Sequence, residues 1–182
     1  MAENKEIVKR SSIHHYMDIG TEEKPKWERL GKGWSKVNEN PNAQTEKTQY
    51  ICDDSATTDT TGYEPNYAFE CDLMKADGPI KKIYNIVKGR KTFGDCIVKM
   101  VHVDAFEETE TNKECTAYLE NLAVQVTSID GEKKMKMTGS FNGQGDGIKG
   151  KFNLKTLTFT PDSNDSEASE TSAEQTSAEQ TS

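Results

Sequence analysis

One segment of the sequence carries oxygen groups that could bind a metal ion. Residues 53–65, DDSATTDTTGYEP, hold Asp53, Asp54 and Asp59 among threonines, and oxygen-rich loops can hold calcium. The spacing of these carboxylates fits no calcium-loop pattern, and threonine is a poorer ligand than aspartate or glutamate. Threonine and aspartate also suit extended chain with local side-chain to backbone hydrogen bonds. We therefore predict no metal site here.

Two adjacent histidines occur in SIHHYMDIG, a segment that is expected to form a strand. Neighbouring side chains on a strand point to opposite faces, so His14 and His15 cannot ligate one ion from there. The zinc-protease motif HExxH is absent from the chain. Both histidines are therefore interpreted as polar residues on or near an N-terminal strand.

A glycine-rich segment, GSFNGQGDGIKG, invites comparison with phosphate-binding loops. It lacks the Gly-Lys-Ser/Thr ending, and a strand-like run follows it instead of a helix N-terminus. Counted from Asn142, the position that a calcium loop fills with glutamate is Asn153. We predict the tip of a hairpin here, without a bound ligand.

The four cysteines do not form a recognisable metal or redox motif. Cys52, Cys71, Cys96 and Cys115 include no CxxC pair, and no histidine lies at ligand spacing. Cys71 falls in an alternating apolar pattern and is interpreted as a small, reduced core residue. A disulfide between facing strands stays open if the protein acts outside a cell. With no nucleophile, base and orienting group that the sequence would bring together, we predict no enzyme activity and no cofactor.

Length and charge indicate one domain followed by a tail. The chain has 182 residues, 32% of them hydrophobic, which suits one core spanning residues 1–162. Residues 163–182 repeat SAEQT, contain five acids and no base, and are predicted to be disordered. No apolar run reaches the roughly 18 residues of a membrane span, and a secretory signal is missing. We expect a protein made in a cytoplasm.

The segment ADGPIKKIYNIVKGRK predicts one helix, at about residues 79–89. Ile80, Ile83, Tyr84 and Val87 share one helical face. Asp77 can cap its start, Pro79 fits its first turn, and Gly89 with Arg90 and Lys91 can end it. The helix is short, and its apolar face is expected to pack against another part of the protein.

Almost all other periodicity has period two, which predicts half-buried antiparallel strands. Alternation is clearest from Tyr67 to Leu73, from Leu122 to Val126, and from Met135 to Phe141; further strands are predicted near residues 6–19, 45–52, 97–106 and 151–160. In the last segment Phe152 and Phe159 differ in parity, which indicates a bulge or a change of buried face. Asp130-Gly131 and Asp146-Gly147 are typical of hairpin turns. The predicted fold is α+β, mainly β: a bent antiparallel sandwich or barrel with one helix.

Nucleic-acid binding in the ordinary sense is disfavoured by charge. The chain has 31 acidic and 23 basic residues; without the five acids of residues 163–182 this leaves 26 against 23, or a net charge of −3. The basic residues are interspersed with acids rather than clustered, so no surface for phosphate is indicated. Such a charge is useful near DNA only if the protein surrounds DNA without holding it.

Several of these segments resemble a known family. YMDIG, WERLGKGWSKVNENPNAQTEKTQYICDDSATTDTTGYEPNYAFECDL and the helix DGPIKKIYNIVKGRKT are similar to the major tail proteins, or tail tube proteins, of tailed bacteriophages and tail-like particles of Gram-positive bacteria. The similarity covers roughly residues 16–161 and is most specific over residues 38–73. The acidic tail lies outside it.

The resemblance implies two packed antiparallel sheets flanked by one α-helix. It also implies homohexameric rings stacked into a hollow virion tube, assembled in the host cytoplasm, through which DNA passes without specific binding. The implied partners are further copies of the chain, tape-measure and tail terminator proteins, and baseplate or distal tail proteins; no membrane is involved. A β-sandwich binding module without catalytic activity is the alternative.

Within this resemblance, the polar segment at about residues 38–66 would be an arm laid on a neighbouring subunit. Its order would then come from the partner. Aromatic side chains lose little entropy for the area that they bury, which makes Tyr63 and Tyr67 expected anchors. The residues predicted to contact another subunit are Asp53, Asp54, Thr57, Thr58, Thr60, Thr61, Tyr63 and Tyr67.

Overall fold

The computed structural model describes residues 7–21, 23–107 and 113–162. Antiparallel strands dominate this part of the chain, and it contains a single α-helix. In chain order the elements are β1 (Ile13–Asp18), β2 (Trp27–Arg29), β3 (Trp34–Asn40), β4 (Ala43–Thr48), β5 (Thr57–Tyr63), β6 (Asn66–Asp72), α1 (Gly78–Lys88), β7 (Ile97–Asp104), β8 (Glu114–Asp130), β9 (Lys136–Gly143), β10 (Ile148–Asn153) and β11 (Thr158–Pro161). The predicted α+β, mainly β fold with antiparallel sheets and one helix is confirmed, although the strands do not close into a barrel.

The chain divides into two compact units. Among the described residues, the larger unit comprises residues 17–21, 23–100 and 120–146, and the smaller unit comprises residues 7–16, 101–107, 113–119 and 147–162. Three strands, β1, β7 and β8, contribute residues to both units. The predicted tail, residues 163–182, lies outside the described residues.

In the larger unit, neighbouring antiparallel strands follow the order β8, β9, β6 and β3. Alternation along β6 and β9 sends one side chain in two toward the core, as the sequence predicts. Phe69 and Phe141 stack there with ring centroids 4.5 Å apart. The core also contains Met17, Leu30, Val37, Tyr67, Cys71, Ile80, Ile83, Ile86, Val98, Met100, Leu122 and Met137.

Helix α1 covers this core and lies within one residue of its predicted bounds. Its N-terminus is capped by Asp77, whose carboxylate accepts from the backbone N–H of Ile80 at 2.9 Å. Glu28 Oε1 accepts from the N–H of Gly78 at 3.1 Å and satisfies a second free donor of the first turn. Ile80 and Ile83 are buried as predicted, whereas Ile86 is more deeply buried than Tyr84.

The smaller unit corrects the prediction of one bulged strand over residues 151–160. Two strands, β10 and β11, form a hairpin with Phe152 opposite Phe159, and β10 also pairs with residues 114–119 of β8. The change of parity between Phe152 and Phe159 does not reflect a bulge, because residues 154–157 form the turn between these strands. A period-two pattern does not distinguish the two cases when the turn is short and contains leucines.

The two Asp-Gly sequences have different outcomes. Asp130 pairs with Lys136, so the β8–β9 hairpin is confirmed, with a five-residue connection rather than a two-residue turn. The glycine-rich segment is not a hairpin tip, because β9 and β10 do not pair with each other. Both instead pair with β8, β9 along its second half and β10 along its first.

Candidate assembly surface

Within the polar segment at about residues 38–66, strands β4 and β5 form a two-stranded antiparallel sheet of their own. Strands β4 and β5 pair from Ala43 opposite Tyr63 to Thr48 opposite Thr57, with a register shift at Thr45. Thr61 occupies this irregularity and donates its hydroxyl to the carbonyl of Gln44 at 3.3 Å. The threonine-rich sequence suits this structure because β-branched residues favour extended backbone. A hairpin, rather than an irregular loop, therefore connects β3 to β6.

The hairpin is exposed along its whole length. No residue of β4 or β5 is buried, and on β5 only Gly62 is half-buried. Neither face of these strands therefore packs on the core of the larger unit. An isolated two-stranded hairpin is at best marginally stable in water. Strands β4 and β5 therefore have surface available for contact with a partner and few contacts of their own that stabilise them.

Seven of the eight predicted contact residues lie on this hairpin. Asp53 and Asp54 lie in the connection between the strands, and the side chain of Tyr63 is 66% exposed at the end of β5. The four threonines, Thr57, Thr58, Thr60 and Thr61, are exposed along β5. The structure therefore places these seven residues on the same exposed hairpin.

Tyr67 does not belong to this surface, which corrects its predicted place among the anchors. Its side chain is only 2% exposed, in the core beside Phe69 on β6. Its hydroxyl is hydrogen-bonded to the carboxyl group of Glu120, and burial raises the pKa of Tyr67 far above its usual value. Burial likewise raises the pKa of Glu120, while the hydrogen bond from Tyr67 lowers it in part.

The substitution Glu120→Gln is expected to raise the free energy of unfolding at pH 7, with a gain that decreases as the pH approaches 4. The folded pKa of Glu120 lies above the unfolded one, so the folded protein binds more protons between these two values. Stability of the parent therefore decreases as pH rises through this interval, and glutamine cannot ionise. Urea unfolding followed by tryptophan fluorescence at several pH values measures the effect. An equal gain at every pH would contradict it, and Glu46→Gln, on exposed β4, is the control.

Sequence reasoning missed the two apolar residues at the end of the hairpin. Tyr50 is 65% exposed and Ile51 is fully exposed. A turn holds them, in which the N–H of Asp53 donates to the carbonyl of Tyr50 at 3.0 Å. The sequence signal is QYI, a short apolar run next to acids that falls at the end of the strand predicted near residues 45–52.

The two adjacent histidines separate as predicted. His14 Nε2 lies 2.9 Å from the carbonyl oxygen of Ser11, whereas His15 Nδ1 lies 2.8 Å from Nδ1 of His102 in the interior of the smaller unit. Burial lowers the pKa of His102 to about 3, which keeps that ring neutral. Among the described residues, no three histidine, cysteine or carboxylate side chains come together as a metal site.

None of the four cysteines, all of which lie in the described ranges, takes part in a disulfide bond. Cys71 and Cys115 are buried and Cys52 is exposed. Burial raises the pKa of Cys71 to about 12, so its thiol stays protonated and unreactive. This agrees with the interpretation of Cys71 as a small core residue.

Comparison with known proteins gives a likeness of structure. No protein-family model and no curated protein matches the chain. The SPP1 tail tube has a similar structure, with a TM-score of 0.58, 10% sequence identity, and coverage of 79% of this chain and 78% of that one. The baseplate of the anti-feeding prophage aligns over 85% of this chain and 99% of that one, with 9% identity and a TM-score of 0.47. In the part of the chain that the structure describes, no helix combines the length and apolar character of a membrane span. The resemblance inferred from the sequence is therefore confirmed at the level of the fold, which is that of the SPP1 tail tube protein.

Proposed function

We propose that this chain is a structural virion protein that forms stacked homohexameric rings, and that these rings make the hollow tail tube through which phage DNA passes. The observation that carries the proposal is the fold shared with the SPP1 tail tube over 79% of the chain. The role is non-enzymatic. It places the protein in the phage tail after assembly in the host cytoplasm, beside tape-measure, tail terminator and baseplate proteins.

An open sheet edge supports lateral assembly. Among the strands that the structure describes in the larger unit, β3 lies at the end of the order, next to β6. The end of a sheet is a place where a neighbouring subunit can add a strand of its own. When such contacts run head to tail, they close into a ring if the rotation between subunits permits it. A ring of this kind would also protect the edge from uncontrolled pairing.

The exposed hairpin supports contact with a second copy. Strands β4 and β5 lack a core of their own, so a neighbour that covers them would add the buried area that a lone hairpin does not have. The threonine hydroxyls and the outer backbone groups offer hydrogen bonds to that neighbour. Asp53, Asp54, Thr57, Thr58, Thr60, Thr61 and Tyr63 are the contact residues that we propose.

The charge of the chain supports a lumen that does not hold DNA. Residues 1–162 carry 26 acids against 23 bases, and this excess leaves no strong attraction for phosphate. Counterion release, which drives non-specific DNA binding, needs clustered basic residues. A weakly acidic tube wall would therefore let DNA slide through instead of trapping it.

Electron microscopy of the purified chain over a range of salt and protein concentrations tests the proposal. We expect hollow tubes or rings with six-fold symmetry, with the assembled fraction increasing with concentration. A strict monomer in every condition, confirmed by analytical ultracentrifugation, would contradict self-assembly and favour the β-sandwich binding module instead. Rings with a different symmetry would contradict the hexamer but would still be consistent with a tube of stacked rings.

A further inference from the structure

The end of the β4–β5 hairpin, here called the tip, comprises residues 49–56. It exposes Tyr50 and Ile51, and Ile51 is as exposed as a side chain can be. Backbone and side-chain hydrogen bonds hold the turn, including one from Gln49 Nε2 to the carbonyl of Asp53 at 3.1 Å. Isolated surface leucines and isoleucines are common, but two adjacent large apolar side chains at the end of an exposed hairpin suit insertion into a partner.

A groove on the same unit has the complementary chemistry. It lies beside helix α1, has a volume of about 530 Å³, and is here called the α1 groove. Its apolar wall includes Met74 and Met135, which are 36% and 46% exposed, together with Leu73 and Tyr84. Methionine side chains adapt their shape to an incoming apolar group, which suits a docking surface.

The base of the hairpin and the α1 groove adjoin opposite ends of strand β6. The hairpin ends at Tyr63, just before β6 begins at Asn66, whereas the groove starts at Leu73, just after β6 ends at Asp72. Seven residues of extended chain separate these ends by about 20 Å. Such an arrangement, with a projecting segment at one end and a groove at the other, suits a head-to-tail contact. A contact of this kind can repeat from copy to copy.

Charge is complementary between the two surfaces. Residues 49–64 contain four acids and no base, and two of these acids, Asp53 and Asp54, lie on the tip. The α1 groove is bordered by Lys75 and Lys81. Lys134 also lies near it and pairs with Asp72 at 3.6 Å, so that lysine is partly neutralised. Opposite charges around an apolar contact orient the partners and accelerate their association.

We propose that the tip of one copy inserts Ile51 and Tyr50 into the α1 groove of another copy, with Asp53 and Asp54 facing Lys75 and Lys81. This inference rests on the proposed self-assembly and names the joint between copies. Burial of Ile51 supplies the apolar area of the joint, and the acids set its orientation. Asp53 and Asp54 thus act in recognition between copies.

Directed disulfide formation between two different chains tests the joint. The first chain keeps the native, exposed Cys52 as its reactive thiol and carries Cys96→Ser. The second carries Cys52→Ser, Cys96→Ser and Asn85→Cys, which places a thiol on the exposed rim of the α1 groove. After mixing and mild oxidation, we expect a heterodimer on non-reducing gels, and mass spectrometry should identify a link between Cys52 of the first chain and the cysteine introduced in place of Asn85 in the second. The matched control, Lys151→Cys on exposed β10 in place of Asn85→Cys, should link at background level.

Two further changes in this assay distinguish the joint from random collision. Ile51→Asp in the first chain should lower the yield about tenfold or more, because the apolar contribution is lost. Asp53→Lys with Asp54→Lys should lower the yield, and Lys75→Glu with Lys81→Glu in the second chain should restore it. The proposed joint would be overturned if the yield of heterodimer equalled that of the Lys151→Cys control, or if Ile51→Asp left the yield unchanged. If the parent forms rings or tubes all the same, the proposed function survives that result; if the parent stays monomeric, the proposed function fails with it.

Discussion

Replacement of residues 43–63 by a short Gly-Ser turn is expected to leave a folded protein that forms no rings or tubes. The N–H of Glu64 donates to the carbonyl of Asn42 at 3.2 Å, so the two ends of the excised segment are adjacent and a short turn can join them. The hairpin buries no residue in the core, so its loss removes little of the stabilising area. Thermal unfolding followed by circular dichroism should show a cooperative transition, while electron microscopy should show that assembly is abolished.

Two outcomes would contradict this prediction in different ways. Assembly like that of the parent would mean that the hairpin is not an interface between copies. Loss of cooperative unfolding would mean that the hairpin belongs to the fold itself, despite its exposure. The control variant carries Lys149→Ser and Lys151→Ser, two exposed positions of β10 outside the proposed contact residues, and it should assemble as the parent does. Unfolding and assembly are therefore measured on the same three proteins.

Elements set by local sequence could be predicted closely. The helix follows from apolar spacing together with Asp77, Pro79 and Gly89, all within a short stretch of chain, and the predicted bounds differ from the observed Gly78–Lys88 by one residue at each end. Strands β6 and β9 are equally clear, because each buries one face and exposes the other. Burial of one face requires apolar residues at every second position of a strand, and this alternation is visible in the sequence.

The strand predicted near residues 45–52 overlaps β4, but β5 and its pairing with β4 could not be predicted, for the corresponding reason. Strands β4 and β5 bury neither face, so their sequence has no alternation, and a polar strand is indistinguishable from a polar loop. The contact of His15 with His102 joins residues 87 positions apart, which no local pattern reports. The α1 groove likewise depends on how Met135 and Met74 meet after folding.

Tyr67 is a different case, because the sequence did contain the correct signal. It has the same parity as Phe69 and Cys71, and that alternation alone places it in the core. Its proximity in sequence to the polar segment suggested a surface role, but the requirement to bury β6 on one face is the stronger constraint. Tyr63, which lies outside that alternation, is exposed on the candidate surface.

Phe141→Ala is expected to lower the free energy of unfolding by about 3–5 kcal/mol, because it removes a fully buried ring and leaves a cavity. The ring centroid of Phe141 lies 4.5 Å from that of Phe69 and 6.4 Å from that of Trp34. Phe69 and Trp34 also contact each other at 5.8 Å, so they cannot move into the cavity without disturbing that contact. Because a domain of this size has roughly 5–15 kcal/mol of stability, such a loss consumes a large part of it. Urea unfolding of both proteins measures the difference.

The control for this substitution is the same chemical change at an exposed position. Phe93 is 91% exposed, so Phe93→Ala should alter the free energy of unfolding by less than about 0.5 kcal/mol. Comparable losses for both variants would show that the aromatic cluster of β6 and β9 is not the centre of the core. The loss of stability expected for Phe141→Ala should also affect assembly. The hairpin adjoins the start of β6 and the α1 groove adjoins its end, so the sheet that contains β6 fixes the distance between them. A protein that loses this cluster should therefore lose the fixed separation between the two surfaces, and with it assembly, at temperatures where the parent still forms tubes.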